Sequence, residues 1–493
     1  MMIHHKSKYS IIICLLLFSS FLFLATSAQD SDLILKAEQE WETYGIGTTC
    51  ISGSQNLFVG DIDGNGIMEI ITGGFMYTLI NGSRGPIQAP LMIWNWDGQG
   101  VNLELNQKWD GNIRAIYAAD LNGDGIIEII TAGSIRNETG TYSTIRVWHW
   151  NNQELSLRAH HEGITVSAIY VSDINNDGTL EILTVGRLTK DSTITAQLGI
   201  WHFENDDLTL IDRLELDCAN VTSANSVYAS DLDNNGDIEI IIVGYSDSLN
   251  NSKGQISIWH WNEEFTLKAN EKWQTVEGYA LTIAGGVQGN TIAYNVKVAD
   301  LNEDKTKEII TGGFEWDGES VKAQLKIWKW DGTFLTQISS QEWANDYLNE
   351  VKCVSVNDVD GDGKMDIITS GTVATASSFA NASTIPDRGQ LRVWSWEEEI
   401  LSLKQSEEWS IGEGVCAWNV VAKDLDANGV NEIVTVGCAG EFGLCDPNMR
   451  IWAVPQVSGS SGNLNYVIIG AIGAVIVFFV FLLFLRKKLQ NKV

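Results

Sequence analysis

The sequence predicts an all-β fold built from seven repeated units, and three observations lead to that prediction. A short acidic segment such as DLNGDGIIEIITAG (residues 120–133) recurs along the chain. Each copy is followed by strand-like runs separated by turn residues, with no helical periodicity between them. Aromatic residues recur in register with the copies. Such repeats bury their faces against neighbouring units and count as one array.

The leading aspartate of each acidic segment defines the repeats, which we number 1 to 7, with acidic segments loop 1 to loop 7. Consecutive leading aspartates are 53 to 69 residues apart. They are Asp61, Asp120, Asp173, Asp231, Asp300, Asp358 and Asp424. Each repeat continues through a strand such as EIITGG, a variable stretch, an IWxW segment and a segment such as LSLKQSEEW, which predicts four strands per repeat.

Aromatic residues mark the predicted third strand of each repeat. The first aromatic position is occupied by Trp94, Trp148, Trp201, Trp259, Trp328, Trp394 and Trp452. Two positions further on, and therefore on the same strand face, lie Trp96, Trp150, Phe203, Trp261, Trp330 and Trp396. Aromatic rings bury roughly 150–250 Å² each. Because these aromatic residues recur at the same position of every repeat, we expect them to pack between units rather than to form a cofactor site.

The two ends of the repeat region predict that the array closes. Repeat 7 stops after MRIWAV without a fourth strand, whereas the segment LILKAEQEW (residues 33–41) precedes repeat 1 without a repeat of its own. Pairing this segment with repeat 7 would remove exposed sheet edges, which otherwise invite aggregation. We therefore expect residues 29–454 to form a closed seven-bladed β-propeller of four-stranded blades, with the N-terminal strand completing the last blade.

The remaining segments predict a single-pass type I protein of the cell membrane with an extracellular propeller. A basic start, an apolar run and TSA precede Gln29, as in a cleaved secretory signal. An uncharged apolar segment long enough for one transmembrane helix is followed by Arg486, Lys487 and Lys488, which places the C-terminus inside. Gly470 and Ala474 could pack against a partner helix in the membrane. The predicted segments are a signal peptide (1–28), a linker (455–465), a transmembrane helix (466–485) and a cytoplasmic tail (486–493).

The acidic loops predict calcium sites. Oxygen-bearing side chains lie at positions 1, 3, 5 and 9 and glycine lies at position 6, as in the first part of an EF-hand loop, but strands flank the loops. The predicted ligands are Asp61, Asp63, Asn65 and Glu69; Asp120, Asn122, Asp124 and Glu128; Asp173, Asn175, Asp177 and Glu181; Asp231, Asp233, Asn235 and Glu239; Asp300, Asn302, Asp304 and Glu308; Asp358, Asp360, Asp362 and Asp366; and Asp424, Asp426, Asn428 and Glu432.

Two loops depart from the common pattern. Loop 5 has Lys305 in place of the glycine, which adds a Cβ where the backbone needs a positive φ and brings an ammonium near the ion. Loop 6 carries four carboxylates at the ligand positions. We expect loop 5 to be the weakest site or an empty one. The alternative is that some loops are Asx turns, in which aspartate accepts hydrogen bonds from nearby amides.

The net charge of −31 bears on both ligands and partners. Several carboxylates within one short loop repel each other, so a bound cation would stabilise the folded state. So acidic a surface excludes nucleic acid as a partner.

The segment DIDGNGIMEIITGG (residues 61–74) and its copies resemble the FG-GAP and VCBS repeats of seven-bladed β-propellers, best known from the headpiece of integrin α subunits. The resemblance covers residues 33 to 454. It implies a calcium loop between the first and second strands of each blade, and a role in cell adhesion. WD40 repeats are a poorer match because the period exceeds 40–45 residues.

Cysteines and sequons complete the expectations. Six cysteines remain after signal removal and allow 15 complete pairings. We predict only the disulfide between Cys438 and Cys445, in one inter-strand loop, and the spacings do not favour structural zinc. Strand reversal places the sequons on the face opposite the acidic loops. The predicted glycosylation sites are Asn81, Asn137, Asn220, Asn250 and Asn381.

The favoured function is adhesion or recognition of an unidentified extracellular protein or glycan through the propeller loops. A membrane-anchored lectin is the alternative of the same fold, although the variable loops do not repeat aromatic and polar groups. A propeller enzyme is less favoured, because no nucleophile elbow, phosphate loop or metal-ligand histidine pair occurs. His149, His202 and His260 occupy one repeated position, and only His160 and His161 are irregular.

Overall fold

A computed structural model describes residues 33–40, 47–50, 56–80, 83–137, 140–190, 193–216, 221–247, 252–276, 281–283, 286–288, 291–344, 348–374, 388–410, 415–439 and 446–456. All helix-or-strand structure in these ranges is β, which confirms the all-β prediction. No helix among these residues is long and apolar enough to span a membrane. The predicted signal peptide, transmembrane helix and tail lie outside the described residues, as does the linker after Gln456.

The strands are β1 (Ile34–Glu40), β2 (Gly47–Cys50), β3 (Leu57–Gly60), β4 (Glu69–Gly73), β5 (Phe75–Ile80), β6 (Ser83–Trp96), β7 (Val101–Ala119), β8 (Glu128–Asn137), β9 (Gly140–Trp150), β10 (Leu155–Glu162), β11 (Thr165–Ser172), β12 (Glu181–Lys190), β13 (Thr193–Glu204), β14 (Asp207–Leu216), β15 (Val221–Ser230), β16 (Glu239–Asp247), β17 (Ser252–Trp261), β18 (Phe265–Trp273), β19 (Leu281–Ile283), β20 (Gly286–Gln288), β21 (Thr291–Ala299), β22 (Glu308–Trp316), β23 (Val321–Trp330), β24 (Leu335–Trp343), β25 (Leu348–Asn357), β26 (Asp366–Ala374), β27 (Arg388–Glu397), β28 (Ile400–Trp409), β29 (Val415–Lys423), β30 (Glu432–Ala439) and β31 (Asp446–Ala453).

Each repeat forms four antiparallel strands, which follow one another in the chain in repeats 1 to 6. Repeats 3 and 4 are separate four-stranded sheets, β11 to β14 and β15 to β18. Repeats 5 and 6, β21 to β24 and β25 to β28, are joined by one parallel residue pair. Repeats 1 and 2 are joined because β7 serves as the fourth strand of the first and the first strand of the second. Two short pairs, β2 with β5 and β19 with β20, lie outside this pattern.

Burial differs between the inner and outer strands of a repeat. The second strand is buried along its whole length, as in β4 and β26, because sheets cover both of its faces and its sequence is a β-branched run. The fourth strand is largely exposed, as in β28, and its sequence is correspondingly polar. The hydrophobic pattern of each strand therefore reports its position in the repeat.

Eight clusters of buried side chains among the described residues join the repeats pairwise. Seven of them join consecutive repeats, and two of these seven lie between repeats 5 and 6. The remaining cluster joins the last repeat to the first, because Leu425 and Ile451 pack with Leu57 and Trp94. Each third-strand aromatic pair of one repeat lies in the cluster shared with the repeat before it, as Trp148 and Trp150 do. The tryptophans therefore pack between units, as their register predicts.

A hydrogen bond that the aromatic pattern did not reveal fixes the first of these tryptophans. In six repeats the indole N–H donates to a threonine on the second strand at 2.8 to 3.1 Å, as Trp328 does to Thr311. Repeat 4 has Ile242 at the threonine position, and Trp259 donates to Ser257 instead. The threonine of EIIT thus satisfies a polar atom that burial would otherwise leave unpaired.

The N-terminal strand completes repeat 7. Strand β1 pairs antiparallel with β31, from Ile34 opposite Ala453 to Glu40 opposite Asn448. Side chains reinforce the pairing, since the Arg450 guanidinium donates to Glu38 Oε1 at 2.7 Å. This pairing confirms the prediction that the orphan segment before repeat 1 supplies the fourth strand of repeat 7.

Candidate metal centres in the acidic loops

The seven acidic loops share one backbone conformation, held by the leading aspartate. Its Oδ2 accepts a hydrogen bond from the position-6 amide at 2.8 to 2.9 Å in every loop. The position-6 residue has a positive φ, from 74° at Lys305 to 95° at Gly236. Loop 5 therefore keeps the loop shape despite its lysine, at the strain cost of placing a Cβ residue in the left-handed region.

The position-9 carboxylate is buried at the start of the second strand. Its second oxygen accepts a hydrogen bond from the position-2 amide in all seven loops at 2.9 to 3.2 Å, as Glu69 does from Ile62. Glu69 is only 1 % exposed. This hydrogen bond leaves the other carboxylate oxygen available for a ligand.

The surroundings of the position-9 carboxyl group disfavour its ionised form. Burial, followed by the charges of Asp63 and Asp61, raises the pKa of Glu69 to about 7, although the Ile62 amide opposes the shift. Burial likewise raises the pKa of Glu128 and Glu239 to about 7. Carboxylates packed this closely are those whose ionised form a cation would stabilise.

Position 5 serves the loop backbone. Its side-chain oxygen accepts a hydrogen bond from the position-7 amide at 2.6 to 2.8 Å in all seven loops, as Asp124 does from Ile126. This is an Asx turn, the alternative weighed for these loops from the sequence. The turns pre-form the loop without using every oxygen, so they are compatible with a bound ion.

Four loops bring three carboxylates together with ligand atoms within 4.8 Å of one another, so these acidic groups could hold a metal ion. They come from positions 1, 3 and 9. The groups are Asp61, Asp63 and Glu69; Asp231, Asp233 and Glu239; Asp358, Asp360 and Asp366; and Asp424, Asp426 and Glu432. Loops 2, 3 and 5 have asparagine at position 3 and so offer an amide oxygen there. Asp362, at position 5 of loop 6, lies outside its group.

Shielded carboxylate oxygens show that the loops fit a cation. Within the described ranges, Oδ1 of Asp233, Oδ1 of Asp426 and Oε1 of Glu308 are buried from solvent and accept no hydrogen bond. Buried anionic oxygens without a partner are costly. All three are at position 3 or 9 of a loop, where a coordinated cation would supply the missing partner.

The loops of neighbouring repeats touch one another. The Met68 amide of loop 1 donates to Leu425 O of loop 7 at 3.2 Å, and the Lys307 amide of loop 5 donates to Leu232 O of loop 4 at 2.9 Å. Turns between third and fourth strands lie beside them, since Asn152 Nδ2 donates to Asp63 Oδ2 at 3.0 Å. The acidic loops and these turns therefore share one face, as strand reversal predicts.

Two lysines that the sequence interpretation missed enter the loops. Lys404 Nζ lies 2.5 Å from Asp360, 2.8 Å from Asp366 and 3.4 Å from Asp362 in loop 6. In loop 5, Lys329 Nζ lies 3.3 Å from Asp304 Oδ2. The ammonium of Lys404 therefore already compensates the loop with most carboxylates. A basic residue also stands at the matching fourth-strand position in repeats 2, 4 and 7, a pattern visible in the sequence.

The cysteine and sequon predictions are only partly accessible. Cys438 is disulfide-bonded, but its predicted partner Cys445 lies outside the described residues. Cys416 faces Cys438 across β29 and β30, with sulfur atoms 2.6 Å apart. Asn137 is exposed at the end of β8, as glycosylation requires. The other four sequon asparagines lie outside the described residues.

One of the two irregular histidines, His161, has a packing role. His161 stacks against Trp201 at 4.9 Å, edge to face. In other repeats a fourth-strand tryptophan fills this place, as Trp409 does against Trp452 at 5.2 Å. His161 is therefore the histidine version of a repeated contact.

No known protein family has a model that matches this chain, and no curated protein matches it. Function resides in the site rather than in the fold. The converging carboxylates of the acidic loops are therefore the feature from which function is inferred.

Proposed function

We propose that the chain is a calcium-binding, single-pass protein of the cell surface that acts in adhesion or recognition. The observation that carries the proposal is the convergence of three carboxylates in each of four equivalent loops, two of which, loops 4 and 7, also contain a buried carboxylate oxygen that accepts no hydrogen bond. Carboxylate and amide oxygens are the ligands of hard cations, and Ca²⁺ tolerates irregular sets of six to eight at about 2.3–2.6 Å. Backbone carbonyls and water would complete each set.

The scaffold of this proposal is a closed seven-bladed β-propeller of the FG-GAP or VCBS kind. Its support is the cluster that packs repeat 7 on repeat 1, together with the pairing of β1 with β31. A closed ring has no long free sheet edge. It also presents the loops of all blades on two faces, which suits recognition of a large ligand.

The two faces are proposed to have different roles. After the last strand, Gln456 Nε2 donates to Val359 O of loop 6 at 3.1 Å, so the described chain ends beside an acidic loop. The acidic-loop face then looks toward the membrane. The opposite face, with Asn137 and the variable loops between second and third strands, looks outward and binds an extracellular protein or glycan.

Anchorage belongs to the same proposal and is supported by sequence alone. The segment 1–28 would direct secretion, and 466–485 would cross the membrane once with residues 486–493 inside. Gly470 and Ala474 would provide a helix-pairing surface. Catalysis is not part of the proposed function.

Ion binding is tested on the purified full-length chain by thermal melting and ion counting. Chelation with EGTA should lower the melting temperature, and calcium at about 10⁻⁴–10⁻³ M, typical of extracellular modules, should restore it. Magnesium should restore less, because it prefers strict octahedral geometry. A melting curve that EGTA leaves unchanged would refute the calcium proposal.

A matched pair of variants locates the ions. Asp426→Asn removes one charge from loop 7 and should lower the number of bound ions by one. Asp317→Asn is the control, because Asp317 lies outside the acidic loops, in the turn between β22 and β23, where its Oδ1 accepts two backbone hydrogen bonds at 2.9 Å each. Equal ion counts for the two variants would count against loop 7 as a site.

A further inference from the structure

The first strands of successive repeats lie side by side, along the axis of the proposed ring. Phe58 of β3 lies 5.5 Å from Tyr117 of β7, and Tyr117 lies 5.6 Å from Tyr170 of β11, between ring centroids. Tyr170 lies 4.2 Å from Tyr228 of β15, and Lys297 of β21 lies 5.9 Å from the Tyr228 ring. Each residue is three places before the leading aspartate of its loop. Ser355 and Val421 occupy this position in repeats 6 and 7, so the level carries four aromatic rings and one lysine.

A second set of residues at the axis comes from β-bulges in the first strands, three residues before the first set. The pairing between first and second strands slips by one residue in repeats 2 to 7. The extra residues are Arg114, Ser167, Asn225, Tyr294, Lys352 and Trp418. Bulges re-aim side chains, and here three extra residues meet, since Lys352 Nζ lies 4.1 Å from the Tyr294 ring and 5.0 Å from Trp418.

Charge along this lining is opposite to that of the chain. The residues at the two levels include Arg114, Lys297 and Lys352 and no acidic residue, although the net charge is −31. Lys352 is neutralised by Glu350, 2.7 Å away. Within the described part of the chain, no carboxylate lies within ion-pair distance of Arg114 or Lys297.

Arg187 lies near the end of β12, which pairs with β11, and β11 packs against β7, the strand that carries Arg114. Its Nε donates to Ser223 Oγ at 3.2 Å and one terminal nitrogen donates to Tyr245 OH at 3.1 Å, both neutral partners in repeat 4. Both arginine side chains remain exposed. Burial of part of the group, and after it the charge of Arg187, lower the pKa of Arg114.

We propose that this axial mouth, formed by Arg114, Arg187 and Tyr245, binds the carboxylate of an acidic side chain on a protein partner. The inference rests on the proposed recognition function and names the chemistry of its ligand. Guanidinium groups bind planar oxyanions through paired hydrogen bonds. Ser223 and Tyr245 hold one of them in place without neutralising it, so the site is pre-organised.

Two features favour a protein carboxylate over other anions. A polyanion would be repelled by the net charge of −31, whereas one carboxylate needs only the local field. The tyrosine rings below pack against one another at 4.2 to 5.6 Å, which covers part of the surface on which a sugar would stack. A slender acidic side chain fits these constraints.

The first test needs no partner. Arg114→Gln in the calcium-loaded full-length chain removes a positive charge near Arg187. We therefore expect a higher melting temperature, because residues that serve binding are often not the most stabilising choice at their positions. Arg213→Gln, an exposed arginine on β14, is the matched control and should leave the melting temperature unchanged. A lower melting temperature for Arg114→Gln than for the control would assign Arg114 to structure and overturn the proposal.

The second test measures binding by saturation-transfer NMR on the full-length chain. The probes are N-acetylglutamate amide, N-acetylglutamine amide and sialyllactose. We expect binding of the glutamate probe alone, weakened about tenfold in Arg187→Gln, the scale of one lost charge-assisted hydrogen bond. Equal signals from the glutamate and glutamine probes, or binding of sialyllactose alone, would overturn the protein-carboxylate assignment.

The same assay separates this inference from the calcium proposal. Melting with EGTA reports on the acidic loops, which lie on the other face. If EGTA has no effect on melting but the glutamate probe still binds in a way that depends on Arg187, the calcium proposal is refuted and the carboxylate site is supported. An EGTA effect without probe binding would refute the mouth alone.

Discussion

Replacing Lys404 with methionine tests whether its ammonium stands in for a metal ion in loop 6. Burial alone would lower the pKa of Lys404, but hydrogen bonds to Asp360 and Asp366 raise it. Asp360 is 4 % and Asp366 1 % exposed, so the variant leaves buried carboxylates without a counter-charge. Breaking such a pair costs about 3–5 kcal/mol. We expect a loss of this size in EGTA and a much smaller one in calcium, because Ca²⁺ can replace the ammonium.

The assay combines thermal melting with ion counting at sub-millimolar calcium. The number of bound ions should rise by one in Lys404→Met, since the metal no longer has to displace a tethered ammonium. Lys268→Met is the matched control, because Lys268 occupies the same position in repeat 4 and is exposed. If Lys404→Met loses equal stability with and without calcium and binds no further ion, the lysine is a structural partner and the reasoning fails.

Three further outcomes are expected. In EGTA the melting temperature should fall as pH rises from about 4.5 to 7. The reason is that the pKa of a carboxyl such as Glu69 is raised to about 7 in the folded state, so its contribution to folding stability is lost as it ionises. A flat profile in EGTA, or the same fall in calcium, would contradict this. Thr311→Val should lower the free energy of unfolding, measured with denaturant, by about 1–3 kcal/mol, because the Trp328 indole loses its hydrogen-bond acceptor. Thr336→Val, at an exposed position of β24, is the control. Equal losses in the two variants would argue against the hydrogen bond. Deleting residues 33–40 exposes the edge of β31 and should cause aggregation, whereas an unchanged monomer peak in size-exclusion chromatography would show that β1 is dispensable.

Much of the architecture was predictable because its causes are local. The repeated acidic segments, the β-branched runs and the aromatic register each depend on residues close in sequence, so they predicted the strands and the inter-repeat tryptophans. The pairing of β1 was predictable by counting strand-like segments, since repeat 7 has only three of them and one additional segment precedes repeat 1. Calcium, the membrane anchor and recognition remain proposals.

Contacts between distant segments could not be predicted in this way. Lys404 enters loop 6 from 38 residues beyond Asp366, and only the antiparallel return of the fourth strand brings it there. The indole of Trp328 reaches Thr311 for the same reason.

The sequence by itself determined the strands, the seven repeats, the positions of the acidic loops and the partner of the first strand, because hydrophobic period and turn chemistry act over a few residues. Tertiary structure alone decided which loops gather three carboxylates within reach of one ion and which loop already holds an ammonium. The physical reason is that charge compensation and burial depend on distances in space, which sequence separation does not specify.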